Sequence, residues 1–261
     1  MKRKIKKTIK ILFFAIVLGA IIWAGWSLFE NKESTELETQ TENTQVKITT
    51  TEIPVKEETD KYSIDMKYPQ FTGGENVESA NLAIKNKIDE LVNGFKKDVV
   101  ENALPDFDFK SSLNNVYEIG FLTNDIISIK FNTLEYVAGM AHPSNYEDGF
   151  SYDLKNNKEI TFSDLFNPGI NYLSLLSGLS RDILKTQMAS SDYYSEDMVN
   201  SGTEPKDYNF SEFVITKDLL IVIFNPAQVA PYVAGIQYAD ISWDKMAQSN
   251  NKSDIIKLIT K

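Results

Sequence analysis

Tyr117-Glu118-Ile119-Gly120-Phe121-Leu122-Thr123-Asn124-Asp125-Ile126-Ile127-Ser128-Ile129-Lys130-Phe131 decides the fold of this chain. Tyr117, Ile119 and Phe121 alternate on one face, and Ile127, Ile129 and Phe131 repeat the alternation with Ser128 and Lys130 between them. Asn124-Asp125 supplies the turn, so period and turn chemistry together predict a β-hairpin.

Downstream, Phe150, Tyr152 and Leu154 form a third run, Asn156-Asn157 turns it, and Ile160 and Phe162 return. Asn suits that turn because it tolerates positive φ. Tyr172, Leu176, Leu179 and Ile183 predict a helix, and the polar, Tyr-rich residues 190–209 a loop. Val214-Ile215, a Lys217-Asp218 turn and Leu219 to Phe224 read as a buried hairpin, and Ile236 to Ile241 as a last strand before Trp243. Upstream, Tyr62 to Tyr68 alternates apolar and polar residues until Pro69 ends it. Gly73-Gly74 turns, Asn76 is placed to cap a helix, and Val77, Ala80, Ile84, Ile88, Leu91, Phe95 and Val99 recur at helical spacing before Pro105. Val46 to Val55 holds a short strand region. Strands joined by hairpins, with two main helices set apart, predict an α+β fold with an antiparallel sheet.

The N-terminus sets the expected compartment. Six basic residues among the first ten precede Ile11 to Phe29, in which only Ser27 is polar. Such a run makes a helix roughly 28 Å long, enough to cross a bilayer core. Residues 1–10 then form a cytoplasmic tail, 11–29 a single transmembrane helix in the lipid bilayer, and the rest lies outside the cytoplasm at the cell membrane. The rival reading is a signal peptide cleaved after the imperfect small-residue pattern Gly25-Trp26-Ser27. The length of the run and the interfacial Trp23 and Trp26 favour an uncleaved anchor. Residues 30–45 lack aromatics and read as a disordered tether.

The formal net charge is −10, and the first ten residues carry six positive charges and no negative one, leaving −16 on the remainder. That balance argues against nucleic acid and suits a cationic partner. There is no cysteine, hence no disulfide, thiol nucleophile or acylated anchor. The sequence has no nucleophile-elbow motif, zinc-helix motif, P-loop or dinucleotide fingerprint. One histidine builds no His-rich metal site, and no cofactor or catalytic residue is expected. Glu147/Asp148 and Asp106/Asp108 read as solvated loop acids rather than a glycosidase pair. Two Pro- and Gly-shaped loops remain as partner-binding candidates: His142, Pro143 and Ser144 in one, Pro231 and Tyr232 in the other. His142 reads equally well as a residue that hydrogen-bonds its own loop backbone.

Gly139-Met140-Ala141-His142-Pro143, Phe150-Ser151-Tyr152-Asp153-Leu154, Lys158-Glu159-Ile160-Thr161 and Asp164-Leu165-Phe166 resemble the central pattern of the RsiV-like ectodomain family. Phe224-Asn225-Pro226 and Ala230-Pro231-Tyr232-Val233-Ala234-Gly235-Ile236 resemble its closing pattern. Residues 46–110 are similar to the segment that precedes it in PdaC-type peptidoglycan deacetylases, residues 111–247 to the RsiV-like domain, and 248–261 read as a tail. The resemblance implies an envelope module that binds lysozyme, as in the anti-sigma factors, or accompanies a deacetylase. Ten residues ahead of the apolar run are too few to grip a sigma factor, and no deacetylase domain is read in the chain. The expectation is therefore a membrane-anchored, extracytoplasmic, non-enzymatic binding module whose candidate partners are lysozyme and peptidoglycan. A wall-acting hydrolase or a structural accessory to an envelope protein is the alternative.

Overall fold

The hairpin at the centre of the chain forms as its period demands. β3 (Ser111–Leu122) pairs antiparallel with β4 (Ile126–Tyr136), with Ile119 opposite Ile129 and a bulge at Gly120. The Thr123 hydroxyl accepts from the amides of Asp125 and Ile126 and closes the turn. The computed structural model describes residues 47–104, 108–248 and 253–260. The expected basic tail, transmembrane helix and tether over 1–45 lie outside the described residues. Among the described residues, no helix is long and apolar enough to cross a membrane.

Around the hairpin stands a six-stranded sheet in the order β1-β2-β3-β4-β5-β6, with β1 at Thr49–Glu58, β2 at Tyr62–Thr72, β5 at Ser144–Asp153 and β6 at Lys158–Glu159. The sheet is mixed rather than wholly antiparallel, because β2 and β3 pair in parallel over Tyr62–Met66. The long helix α1 (Val77–Asn102) is the crossover that a parallel pair requires. Its stripe of Val77, Ala80, Ile84, Ile88, Phe95 and Val99 packs on Ile127, Ile129, Phe131, Phe150 and Leu154. Pro69 does not end β2. β3 leaves β2 after Met66, so Pro69 lies where only β1 flanks it, and a missing N–H is tolerated there. Asn76 does not cap α1 with its side chain. It takes a left-handed φ of 57°, and its amide donates to Leu154 O instead, tying the helix start to the end of β5.

A second sheet, β7 (Glu212–Ile215), β8 (Leu219–Phe224) and β9 (Gln237–Ser242), is antiparallel throughout. With α2 (Tyr172–Met188) it encloses a second core containing Leu176, Leu184, Phe213, Val222, Phe224 and Trp243. The polar stretch 190–209 is not all loop. It holds α3 (Glu196–Gly202), capped by the Ser195 hydroxyl accepting from Met198 N, and a 3-10 turn at Asp207–Asn209. Arg181 on α2 holds it, donating to both Thr203 Oγ1 and Thr203 O. Two short helices, α4 (Trp243–Gln248) and α5 (Asp254–Ile259), close the chain. The segment read as a tail thus contributes Ile255, Ile256 and Ile259 to the second core.

The two sheets meet through small residues. An added Cβ on Gly149 would fall 1.8 Å from Phe213 O, and one on Gly120 would fall 2.5 Å from Val214 Cγ1. Between them Ser128 Oγ, paired with Ser151 Oγ at 2.8 Å, accepts from Ile215 N at 2.9 Å. β7 therefore lies directly on the larger sheet. Ile126 to Ile129 are all buried, as a strand covered on both faces must be.

Candidate partner-binding site

The connection from β4 to β5 is shaped from its first residue. Gly139 has φ of +96°, and a Cβ there would sit 2.5 Å from Leu104 Cγ, so only glycine fits without displacing Leu104. Met140 N donates to Val137 O and Ala138 N to Ser111 Oγ. The chain then presents His142, Pro143 and Ser144 to solvent. His142 Nδ1 lies 3.0 Å from Pro143 O. A carbonyl only accepts, so Nδ1 carries the proton in this bond.

The second loop begins at half-buried Pro231 and winds one 3-10 turn, Tyr232–Ala234. Ala234 N donates to Pro231 O, Gly235 N to Tyr232 O, and Gln237 Nε2 to Ala234 O. The fold brings the two loops together. Tyr232 OH donates to Pro143 O at 3.2 Å, and the His142 and Tyr232 rings lie 4.7 Å apart, tilted by 37°. On the same loops Met140 is 57% and Val233 70% exposed, beside a Tyr232 that is 43% exposed. Such an amphipathic surface is typical of a contact site.

Beside the first loop, β5 carries a buried polar network that sequence reading misses. Glu147 is 4% exposed, not a solvated loop acid. Its backbone N–H donates to Asn225 Oδ1 at 2.8 Å, and Asn225 Nδ2 returns a bond to Glu147 O at 3.0 Å. This reciprocal pair joins β5 to the end of β8. The Glu147 carboxylate accepts from Asn132 Nδ2 and from Tyr238 OH, and Lys130 Nζ lies 3.4 Å from it. Burial disfavours the Lys130 charge, but Glu147 and Glu118 outweigh it and raise its pKa. Burial and the neighbouring Glu147 push the Tyr238 hydroxyl up as well. The only sequence signal for this network is Phe224-Asn225-Pro226, a motif noted for its resemblance rather than for its bonding.

A second carboxylate bridges the sheets. Glu212 on β7 accepts from Gly149 N at 2.9 Å. Burial drives its pKa up to about 7, against the Gly149 hydrogen bond and with help from Asp148. Asp148 is itself raised by burial. Among the described residues, no group of three or more His, Asp or Glu side chains is placed to hold a metal ion.

Comparison with known proteins places these features in context. Residues 55–145 match the family described as deacetylase PdaC, and residues 163–244 the family described as protein of unknown function DUF3298. The peptidoglycan-N-acetylmuramic acid deacetylase PdaC of Bacillus subtilis is 28% identical over 67% of this chain and 36% of its own length. The anti-sigma-V factor RsiV of the same organism is 28% identical over 70% of this chain and 64% of its own. An esterase of Mycobacterium tuberculosis is 30% identical over 40% of this chain and 43% of its own. The chain thus spans less than two thirds of each of these relatives. A DUF3298 family structure from Bacteroides fragilis shares the fold at a TM-score of 0.55 and 14% identity, over 82% of this chain and 97% of its own. Another from Pseudomonas aeruginosa does so at 0.55 and 11%, over 77% and 93%.

Proposed function

We propose, from this chain's membership of the RsiV- and PdaC-like DUF3298 domain family, that it is an extracytoplasmic binding module of the cell envelope whose partner is a basic, lysozyme-like protein. The observation that carries the reading is the convergence of His142 and Tyr232 on one exposed surface, from loops 89 residues apart. The Asn225–Glu147 pair holds the strands behind both loops, and a preorganised surface loses less ordering entropy on binding. Charge supports the choice of partner. The −16 beyond the first ten residues attracts a cationic protein and makes encounter salt-sensitive. Attachment through residues 11–29, with residues 46–110, 111–247 and the α5 segment that packs on them acting as one exported module, completes the proposal.

Titration of lysozyme into the purified full chain at low and physiological salt tests it. Binding that weakens with salt is expected, with Tyr232→Ala costing about 1–2 kcal/mol and His142→Ala less. Both side chains are exposed, so both variants should fold. No binding at roughly 50 µM in low salt would reject the partner. Binding indifferent to both substitutions would move the site elsewhere.

Kinship with a deacetylase and an esterase favours a second reading, hydrolysis centred on His142. His142 Nδ1 bonds Pro143 O and its ring packs beside Tyr232, and among the described residues no carboxylate hydrogen-bonds it to orient it as a base, which supports a contact role instead. Turnover of an acetyl ester that His142→Ala abolishes would establish the hydrolase.

A further inference from the structure

Away from the two-loop surface, the 3-10 turn at Phe162–Leu165 and the start of α2 border two cavities. The larger, about 500 Å³, reaches from Asp153 and Asn156 across Asp164 to the start of α5. The smaller, about 200 Å³, runs past Ser151 and Ser211 along β5 and β7. Ser163 and Tyr172 line both, so the two meet at that pair in one elongated groove. The larger part alone falls within the roughly 300–1,000 Å³ of ordinary ligand sites.

The chemistry of the groove is selective. Its wall holds an aromatic pair, Tyr172 and Phe166, with ring centroids 5.7 Å apart at 33°. Tyr172 OH donates to Asp207 Oδ1 at 3.0 Å, which fixes the ring at the junction. Most of the charges present are already answered, with Asp254 paired to Lys257 and, among the described residues, Glu159 of the smaller cavity left without an ion pair. Asp164 is paired with Lys158 and accepts from Thr161 N and Oγ1, and Asp153, fully buried, accepts from Asn156 N and Nδ2. An anionic ligand would meet carboxylates and one occupied lysine. A metal ion would find no three-ligand set among the described residues. What the groove offers is the ring of Tyr172, hydroxyls such as those of Ser163 and Ser211, and the planar side chains of exposed Asn156 and Glu159. A sugar ring matches that set, with an apolar C–H face for the aromatic ring and equatorial hydroxyls for the planar groups.

We infer that this groove is a binding site for a neutral oligosaccharide, with Tyr172 as the stacking platform at its centre. The site is separate from the His142–Tyr232 surface and does not depend on the partner proposed for it. Calorimetric titration of the full chain with chitotetraose and with maltotetraose tests the inference. At least one should bind with a roughly millimolar Kd or tighter. Tyr172→Ala should weaken it roughly tenfold or more, while Tyr172→Phe retains most of the affinity. Ser163→Trp, at an exposed position, should block the junction and abolish binding without disturbing the core, and it keeps the test decisive if Tyr172→Ala does not fold. Absence of binding by both sugars at about 10 mM, or unchanged binding by Ser163→Trp, would overturn the inference.

Discussion

Glu212 shows how much one residue can set. Its carboxyl accepts the Gly149 amide at the joint between the sheets, and burial holds its pKa at about 7 against an ordinary 4.5. Between those values the folded state binds more protons than the unfolded state. Stability therefore falls as pH rises through that window and is lowest, for this group, above pH 7. The full shift is equivalent to about 3 kcal/mol, an upper bound for a side chain that keeps some solvent contact. Glu212→Gln preserves the acceptor for Gly149 N and removes the charge. Urea unfolding at pH 5 and pH 8 should show the wild type losing stability between them, and the variant losing less. An equal loss in both would assign the pH dependence to other groups. Neither Glu212 nor Glu147 is distinguishable in the sequence from the other acids, because burial by a strand 63 or 78 residues away leaves no local trace.

Elements obey the sequence where their stabilising contacts are local. α1 follows its stripe of Val77, Ala80, Ile84, Ile88, Phe95 and Val99, and the Asn156-Asn157 turn places Asn157 at positive φ as its chemistry allows. Gly94 sits within α1 on the exposed side, with nothing within 4 Å of a would-be Cβ. Gly94→Ala should therefore stabilise the protein by about 0.5–1 kcal/mol, by cutting unfolded-state entropy without a clash. A lower melting temperature for the variant would mean that this face of α1 is not free. Elements depart from the sequence where a distant neighbour intervenes. Ser128 and Lys130 are the polar positions of the β4 alternation, yet Ser128 is fully buried because β7 lies on it and Ile215 N bonds its hydroxyl. α3 escapes a periodicity reading because its only fully buried hydrophobic side chain is Val199, and Arg181 of α2 supplies part of its anchorage.

For the molecule as a whole, the last residues matter more than their composition suggests. Ile255, Ile256 and Ile259 of α5 are buried in the second core with Trp243 and Met246. Burying such a side chain contributes about 1.5–3 kcal/mol, partly offset by ordering the segment. A chain ending at Ala247 should melt roughly 10 °C lower, and a scan by circular dichroism would measure it. An unchanged transition would show that α5 adds nothing to the core.

The sequence by itself determined the α+β class, both hairpins, the two long helices and the two loops worth suspecting, because period, turn residues and small-residue punctuation act over a few residues. The tertiary structure alone decided the parallel β2–β3 pair, the stacking of β7 on Gly120, Ser128 and Gly149, and the meeting of His142 with Tyr232. Strand direction and sheet stacking leave the alternation of side chains unchanged. Contacts between residues as far apart as Pro143 and Tyr232 exist only once both cores have closed around them.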